Sequence, residues 1–278
     1  MSKSISISLV GAGGKMGCRI TDNLKNSSFQ VNYIEISAIG IEKLKERGIE
    51  VSDPKVLETS DVVILAVPDK FLGSVSSEIV PMLPSGAMVI CLDPAVAFAG
   101  KLPKRDDVAY FISHPAHPSV FNWEPDPEAQ KDFFGGTKAK QPIVCALMQG
   151  LEKDYILGEE IAIKMYAPVY KSFRITVEQM GLLEPALVET LASTCLTIIR
   201  EGLDEVVKKG VPYEAAREFL LGHLNIQLAV LFNEIPGAVF SDAANKAIVR
   251  GRPVLFKEDW KKIFEPDNVS EQINDIIV

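Results

Sequence analysis

Only three histidines occur in this chain of 278 residues, and two of them stand three apart in His114-Pro115-Ala116-His117-Pro118. Imidazole changes charge near neutral pH and ligates metals readily, so the pair suits general acid/base work or capture of a divalent cation. The prolines after each histidine fix φ and suit equally well a rigid turn whose histidines cap carbonyls. A second chemical signal lies in Leu182-Leu183-Glu184-Pro185-Ala186-Leu187, where Glu184 sits among apolar residues next to a proline. A buried carboxylate without a partner is costly, so Glu184 requires a cation, a metal or a proton unless it lies on a polar edge. Glu189 is a further acid of the same kind. His223 and Gln227, four apart on a later helix, read as core or interface groups.

The third signal is Ile5 to Gly17, ISISLVGAGGKMG. An apolar, β-branched run too short for a helix enters a glycine turn that opens a helix. Gly11 and Gly13 are expected to take φ angles that a Cβ forbids, leaving bare amides to close on a pyrophosphate at the helix N-terminus. Gly17 lets that helix lie tight on the strand. Gly11, Ala12, Gly13, Gly14, Lys15 and Met16 therefore form a candidate dinucleotide cradle. A second strand ends at Glu35, 24 positions after Gly11, where a carboxylate bonds ribose hydroxyls and repels a 2′-phosphate. No arginine follows in Ile36-Ser37-Ala38, so NAD is expected over NADP. Ala66, Val67 and Pro68, after a third apolar strand, complete the expected cofactor contacts. A phosphate-loop NTPase is ruled out because Met16 follows Lys15 and supplies no hydroxyl for magnesium.

These residues need a scaffold, and the apolar pattern supplies one. Strands are expected at 5–10, 30–36, 61–68, 88–92 and 108–113, alternating with helices, which is the order of a doubly wound parallel sheet. Residues 141–148 and 160–165 read as the last strands of this α/β unit. The polar, glycine- and proline-containing stretch 123–140 reads as a loop or lid. From about residue 171 the period becomes helical. Thr176 to Lys209 forms one long apolar helical stretch of about 50 Å, with a kink expected at Pro185. Met180, Leu183, Leu187, Leu191, Cys195, Ile198, Leu203 and Val206 make its main stripe. The fold class is thus an N-terminal Rossmann unit, 1–170, followed by an all-α domain, 171–278, with one long central helix. That helix is too evenly apolar for its own domain to cover, so a homodimer is expected on it.

Composition narrows the partners. Hydrophobic residues make up 47% and charged residues 24% of the chain, which is ordinary globular usage. A net charge of −8 without a basic stripe argues against nucleic acid. Cys18, Cys91, Cys145 and Cys195 form no paired motif and read as reduced thiols of a cytoplasmic protein. Neither a signal peptide nor an apolar run long enough to span a membrane is read.

A Rossmann unit followed by an all-helical domain with one very long helix resembles the 6-phosphogluconate dehydrogenase and β-hydroxyacid dehydrogenase superfamily, over essentially the whole chain. Within it, GAGGKMG at 11–17, HPAHPSVF at 114–121 and TVEQMGLLEPALVET at 176–190 are similar to the D-apionate oxidoisomerase branch. The resemblance implies an NAD-dependent oxidoreductase of a hydroxy acid, converting D-apionate to 3-oxo-isoapionate in branched sugar-acid catabolism. Lys171 corresponds to the superfamily's catalytic lysine, but Ile175 stands where an asparagine usually follows, which turns the reading away from simple oxidative decarboxylation. A rearrangement calls for a Lewis acid, so a divalent metal, zinc or magnesium, is expected on His114 and Glu184. Lys171 or Arg174 is expected at the substrate carboxylate. The alternatives are a metal-free β-hydroxyacid dehydrogenase and a non-catalytic NAD-sensing regulator.

Overall fold

Apolar, β-branched segments make the central strands, as two-sided burial requires. In the computed structural model, which describes residues 4–277, β1 (Ser6–Val10) is buried after its first residue, and every residue of β3 (Val62–Leu65) and β4 (Met88–Cys91) is buried. With β2 (Gln30–Ile34), β5 (Ala109–Pro115), β6 (Gln141–Gln149) and β7 (Val169–Arg174) they form one seven-stranded sheet, ordered β2-β1-β3-β4-β5-β6-β7. The first five strands are parallel, β6 runs antiparallel to β5, and β7 is parallel to β6. The expected doubly wound architecture is therefore present. The strand order reverses at β1, so the crevice outside its carboxyl end is where such folds take ligands.

Helices cover both faces. α1 (Lys15–Leu24) and α5 (Glu152–Met165) contribute to one core cluster around Leu9, Ile64, Ile90 and Phe111. α3 (Asp69–Ile79) and α4 (Ala95–Phe98) contribute to the other, around Leu65, Cys91, Tyr110 and Ile112. α2 (Ala38–Lys45) is capped at its start by the Ser37 side chain, which accepts from the Gly40 amide.

Two expected elements differ. Residues 160–165 are the last turns of α5, not a strand. Tyr155, Gly158, Ile161, Ala162 and Met165 are its buried positions, a helical spacing, and the Asp154 carboxylate accepts from the Leu151 amide at its start. β5 runs through His114 and Pro115, so the first histidine belongs to a strand and not to the turn after it. The boundary between units also moves from 170/171, because β7 is part of the sheet. One compact unit runs to Glu184 and includes the residues from Ser270, and the second is Pro185–Val269.

The second unit is helical throughout, as expected. α6 (Val177–Lys208) begins with a reciprocal cap, the Thr176 hydroxyl accepting from the Gln179 amide and the Gln179 side chain from the Thr176 amide. Around Pro185 the stretch Leu182–Ser193 is π-helical. Proline offers no amide and its ring crowds the carbonyl four residues back, and the wider turn relieves the crowding. The remaining helices are α7 (Tyr213–Leu231), α8 (Asp242–Leu255) and α9 (Pro266–Ile276). The stripe on α6 is not a buried one. Leu183, Leu187, Val188, Leu196, Ile198 and Val206 are all more than one-third exposed, while Met180, Ala186 and Leu203 are buried. By length and composition α6 could cross a membrane, contrary to the absence of such a run expected from sequence, with 11% of its most apolar window buried. Its first turn, however, is part of the sheet core through Val177 and Met180, a position that a lipid-embedded segment could not share.

Candidate functional site

The glycine turn is built by contact as well as by conformation. Gly11 has φ +78°, and a Cβ there would lie 2.5 Å from the Ala66 carbonyl oxygen, so β1 and the segment after β3 approach as closely as bare backbone allows. Gly13 was expected to need an unusual φ. It does not have a positive φ, and its lack of a side chain instead admits Gly40 of α2, whose oxygen would stand 2.3 Å from a Cβ. At Gly17 a Cβ would meet the Gly11 oxygen at 2.0 Å, which is the tight strand and helix packing read from sequence. The amides of Gly11 and Ala12 donate to the Ile34 carbonyl and the Gly14 amide donates to Gly11. That leaves the first-turn amides of α1, at Lys15, Met16 and Gly17, as the donors a helix start presents to an anion, with no side-chain cap competing. Glu35 closes the turn from the end of β2. One carboxylate oxygen accepts from the Gly13 amide at 2.9 Å and the other from the amides of Ile36 and Ser37.

At the carboxyl end of β5, His114 and Glu184 meet, Nε2 to Oε2 at 3.3 Å, both side chains mostly buried. The histidine Nδ1 lies 2.8 Å from the Leu92 carbonyl oxygen. A carbonyl can only accept, so Nδ1 carries a proton and Nε2 is the exchangeable nitrogen. Two bare lone pairs would repel at that separation, so the contact between Nε2 and Oε2 is a hydrogen bond only with one proton between them. Two aspartates at neighbouring strand ends surround the pair electrostatically. Burial pushes the carboxyls of Asp69 and Asp93 up, each helped by a nearby acid, Asp93 for the first and Glu184 for the second, and eased by His114. Asp93 also accepts from the Ala95 amide at 2.7 Å.

His117 stands next to this pair. It adopts φ +61°, its Nδ1 lies 2.8 Å from the Phe134 carbonyl oxygen, and its ring meets the His114 ring edge to face at 6.3 Å. The loop carrying Phe134 is ordered by backbone contacts, with the Asp132 carboxylate accepting from the amides of Thr137, Lys138 and Ala139. Lys15 and Arg19 of α1 lie over the Phe134 ring at 4.2 and 4.8 Å.

A model of phosphogluconate dehydrogenase (decarboxylating) C-terminal domains matches residues 122–277. A D-apionate oxidoisomerase of Cupriavidus necator is 54% identical over 272 residues, covering 97% of this chain and 98% of that protein. The chain belongs to the D-apionate oxidoisomerase family. A second relative of that name, from Blautia hydrogenotrophica, is 43% identical over 97% of this chain and 95% of its own length. Among solved structures, a protein from Cupriavidus necator described as a semialdehyde dehydrogenase NAD-binding protein in complex with calcium and NAD superposes with a TM-score of 0.96 at 52% identity, covering 99% of this chain and all of that one. A ketol-acid reductoisomerase from an uncultured archaeon, at 20% identity and a TM-score of 0.72, shares the fold.

Within this member of the D-apionate oxidoisomerase family, the remaining expected residues divide. Lys171 lies on the edge strand β7, exposed, with its ammonium 4.6 Å over the Phe173 ring. Phe173 is in register with Val144, which is in register with His114, so Lys171 shares the sheet face of His114. Arg174 falls on the opposite face, its guanidinium on the Tyr155 ring and both of its arms bound to Glu152 at 2.7 and 2.8 Å. It is therefore not available for the substrate carboxylate. Glu189 is exposed on the π-helical stretch, and His223 is exposed on α7, stacked on Phe219. Among the described residues no group of three His, Cys, Asp or Glu side chains is disposed to hold a metal ion. His114 and Glu184, the residues expected to hold zinc or magnesium, contact each other, and no third ligand-type side chain joins them among the described residues. Asp69, expected beside the cofactor ribose at the end of Ala66-Val67-Pro68-Asp69, and Asp93, expected only to stop its strand, were not read as neighbours of His114, and Gly40 went unread. The available signal was an acid within four residues of the end of each of two adjacent parallel strands.

The folded-state carboxyl of Asp93 titrates above that of the unfolded chain, so as pH rises through this window the unfolded form loses its proton first and stability falls. Asp93→Asn removes the desolvated charge and keeps an acceptor for the Ala95 amide. Thermal unfolding at pH 7 should show a higher midpoint for the variant than for wild type, with the difference shrinking toward pH 4. Equal midpoints at pH 7 would contradict a charged, desolvated Asp93.

Proposed function

We propose that this chain is an NAD-dependent oxidoisomerase of a branched sugar acid, D-apionate being the substrate that its relatives' name supplies. The observation that carries the proposal is the proton-sharing pair His114 and Glu184 at the mouth of β5, beside a glycine turn shaped for a dinucleotide. The turn fits the cofactor because Gly11 and Gly17 leave no room for side chains and the first-turn amides of α1 are uncapped. The first-turn amides would hold the pyrophosphate, Glu35 the adenosine ribose, and Ala66, Val67 and Pro68 the neighbouring wall. Ile36 and Ile39, 91% and 72% exposed next to Glu35, offer the adenine an apolar shelf. When bound, NAD supplies the hydride acceptor.

The chain's residues supply the proton traffic. His114, relieved of the proton it shares with Glu184, accepts the proton of the substrate's C2 hydroxyl as that carbon gives up its hydride, leaving a 2-oxo acid. The rearrangement then breaks the bond from C3 to one hydroxymethyl carbon and forms a bond from C2 to the same carbon. The C3 hydroxyl loses its proton to become a ketone, and the C2 oxygen gains one. The net loss is one hydride and one proton, and a single acid/base pair can serve both transfers. No step is routed through a metal. Lys171 faces the same side of the sheet, is in no ion pair among the described residues, and is the cation proposed for the substrate carboxylate.

Two further features support the setting. Cys18, Cys91 and Cys145 are buried free thiols, consistent with a reducing, cytoplasmic compartment. The exposed apolar side chains of α6 fit burial against a second copy, with a small-molecule hydroxy acid as the other partner.

Incubation with D-apionate and NAD should produce NADH, and NMR of the product should show the rearranged 3-oxo acid. An unrearranged 2-oxo acid would instead identify a plain hydroxyacid dehydrogenase. His114→Ala and Glu184→Gln should each reduce kcat by at least about 100-fold while leaving the Kd for NAD within a factor of two or so. Loss of NAD affinity in either variant would place the pair in the wrong role.

Wild type should bind NAD well ahead of NADP, and Glu35→Gln should narrow the preference about tenfold by removing the charge that repels a 2′-phosphate. Calorimetry with both cofactors decides it, and equal wild-type affinities would remove Glu35 from the role. Sedimentation at micromolar concentration should give a dimer, and substitution of Leu187 and Leu196 by glutamate should shift it to monomer. A wild-type monomer would leave α6 without the proposed partner.

A further inference from the structure

His117 does work that a turn residue alone would not require. Its backbone is in the left-handed region at φ +61°, which few residues other than glycine adopt, although histidine is among those that tolerate it with asparagine and aspartate. Such positions tend to be retained where the side chain has a task. The side chain is also oriented. Nδ1 at 2.8 Å from the Phe134 carbonyl oxygen must carry the proton, because the carbonyl only accepts. Nε2 is therefore an acceptor with a fixed direction.

The same device operates on His114, whose Nδ1 donates to the Leu92 carbonyl. Two imidazoles packed edge to face at 6.3 Å are thus locked in the same tautomer by two main-chain carbonyls. They differ in what Nε2 meets. That of His114 meets Glu184 and serves proton transfer, whereas His117 has no carboxylate partner among the described residues. His117 also stands between the proton pair and the cofactor turn, since Phe134, which it touches at 5.9 Å, lies under Lys15 and Arg19 of α1. A polyhydroxy acid placed there would bring hydroxyl donors to both histidines.

We infer that His117 is a specificity residue, whose Nε2 accepts a hydrogen bond from the hydroxymethyl branch of the substrate while His114 handles the reacting hydroxyl. This rests on the sugar-acid reading above. An acceptor nitrogen oriented by the bond from its ring to the Phe134 carbonyl disfavours an acid lacking that hydroxyl, because that acid forfeits the hydrogen bond.

The test uses the whole enzyme with NAD and compares D-apionate with D-erythronate, a straight-chain acid that lacks the branch, read as a KM or as a competitive Ki. Wild-type turnover of D-apionate is established first, since its absence would defeat the functional reading and not this assignment. His117→Asn and His117→Gly relax the left-handed backbone, so both variants should fold with unfolding midpoints near that of wild type. KM for D-apionate should rise about tenfold, the constant for D-erythronate should stay within twofold, and the Kd for NAD should not change. A purely structural histidine would move the midpoint, or weaken both acids equally. Either of those outcomes, or an unchanged preference for D-apionate in both variants, would overturn the assignment.

Discussion

The hydrogen bond from His114 Nδ1 to the Leu92 carbonyl is the interaction on which the chemistry of this molecule depends. It is made between adjacent parallel strand ends, β4 and β5, and so it exists only because the sheet is formed. By fixing one nitrogen as donor it leaves the other to share a proton with Glu184. A side chain partner for Nδ1 would have been able to move or titrate. A main-chain carbonyl can do neither, so the tautomer is as rigid as the sheet. Glu184 reaches the same point from the start of the π-helical stretch, where Pro185 prevents ordinary α-helical bonding.

The surroundings of the pair are acidic, with Asp69 and Asp93 held above their ordinary range mainly by burial. Carboxyls placed this way cost stability near neutral pH. On the cofactor side the logic is steric. Glu35 can reach the Gly13 amide because Gly40 presents no side chain, and a Cβ on Gly40 would stand 2.5 Å from the Glu35 carboxyl carbon. The turn, the acid and the start of α2 therefore form one interlocked unit, and each constrains the others' residue types.

Much of this was legible from the residues alone, for local reasons. The order of β1, glycine turn, α1 and β2 is encoded by apolar period and by backbone freedom, which short windows contain. The meeting of His114 and Glu184 followed from a cost argument, because each polar group in apolar surroundings needs a partner. The direct contact between the two was not legible, because it depends on where the π-helical stretch starts. The coupling of Asp69 and Asp93 to His114 was missed because it depends on which strand ends are adjacent, a matter of sheet order. Arg174 and Lys171 looked equivalent until strand register placed them on opposite faces. Residues 160–165 were read as a strand because an apolar run that short carries too little period, while the helix that contains them begins at Glu152.

The π-helical stretch has a consequence for the rotational phase of everything after it. An α-helix advances about 100° per residue, and its apolar stripes are counted on that basis. From Leu182 to Ser193 each bond spans one residue more, so the chain turns through a smaller angle per residue for twelve residues. When α-helical winding resumes at Thr194, the azimuth of the downstream face is offset from the one that a constant period projects. An apolar stripe counted at a constant 3.6-residue period therefore cannot be projected through Leu182–Ser193 onto Leu196 and Ile198.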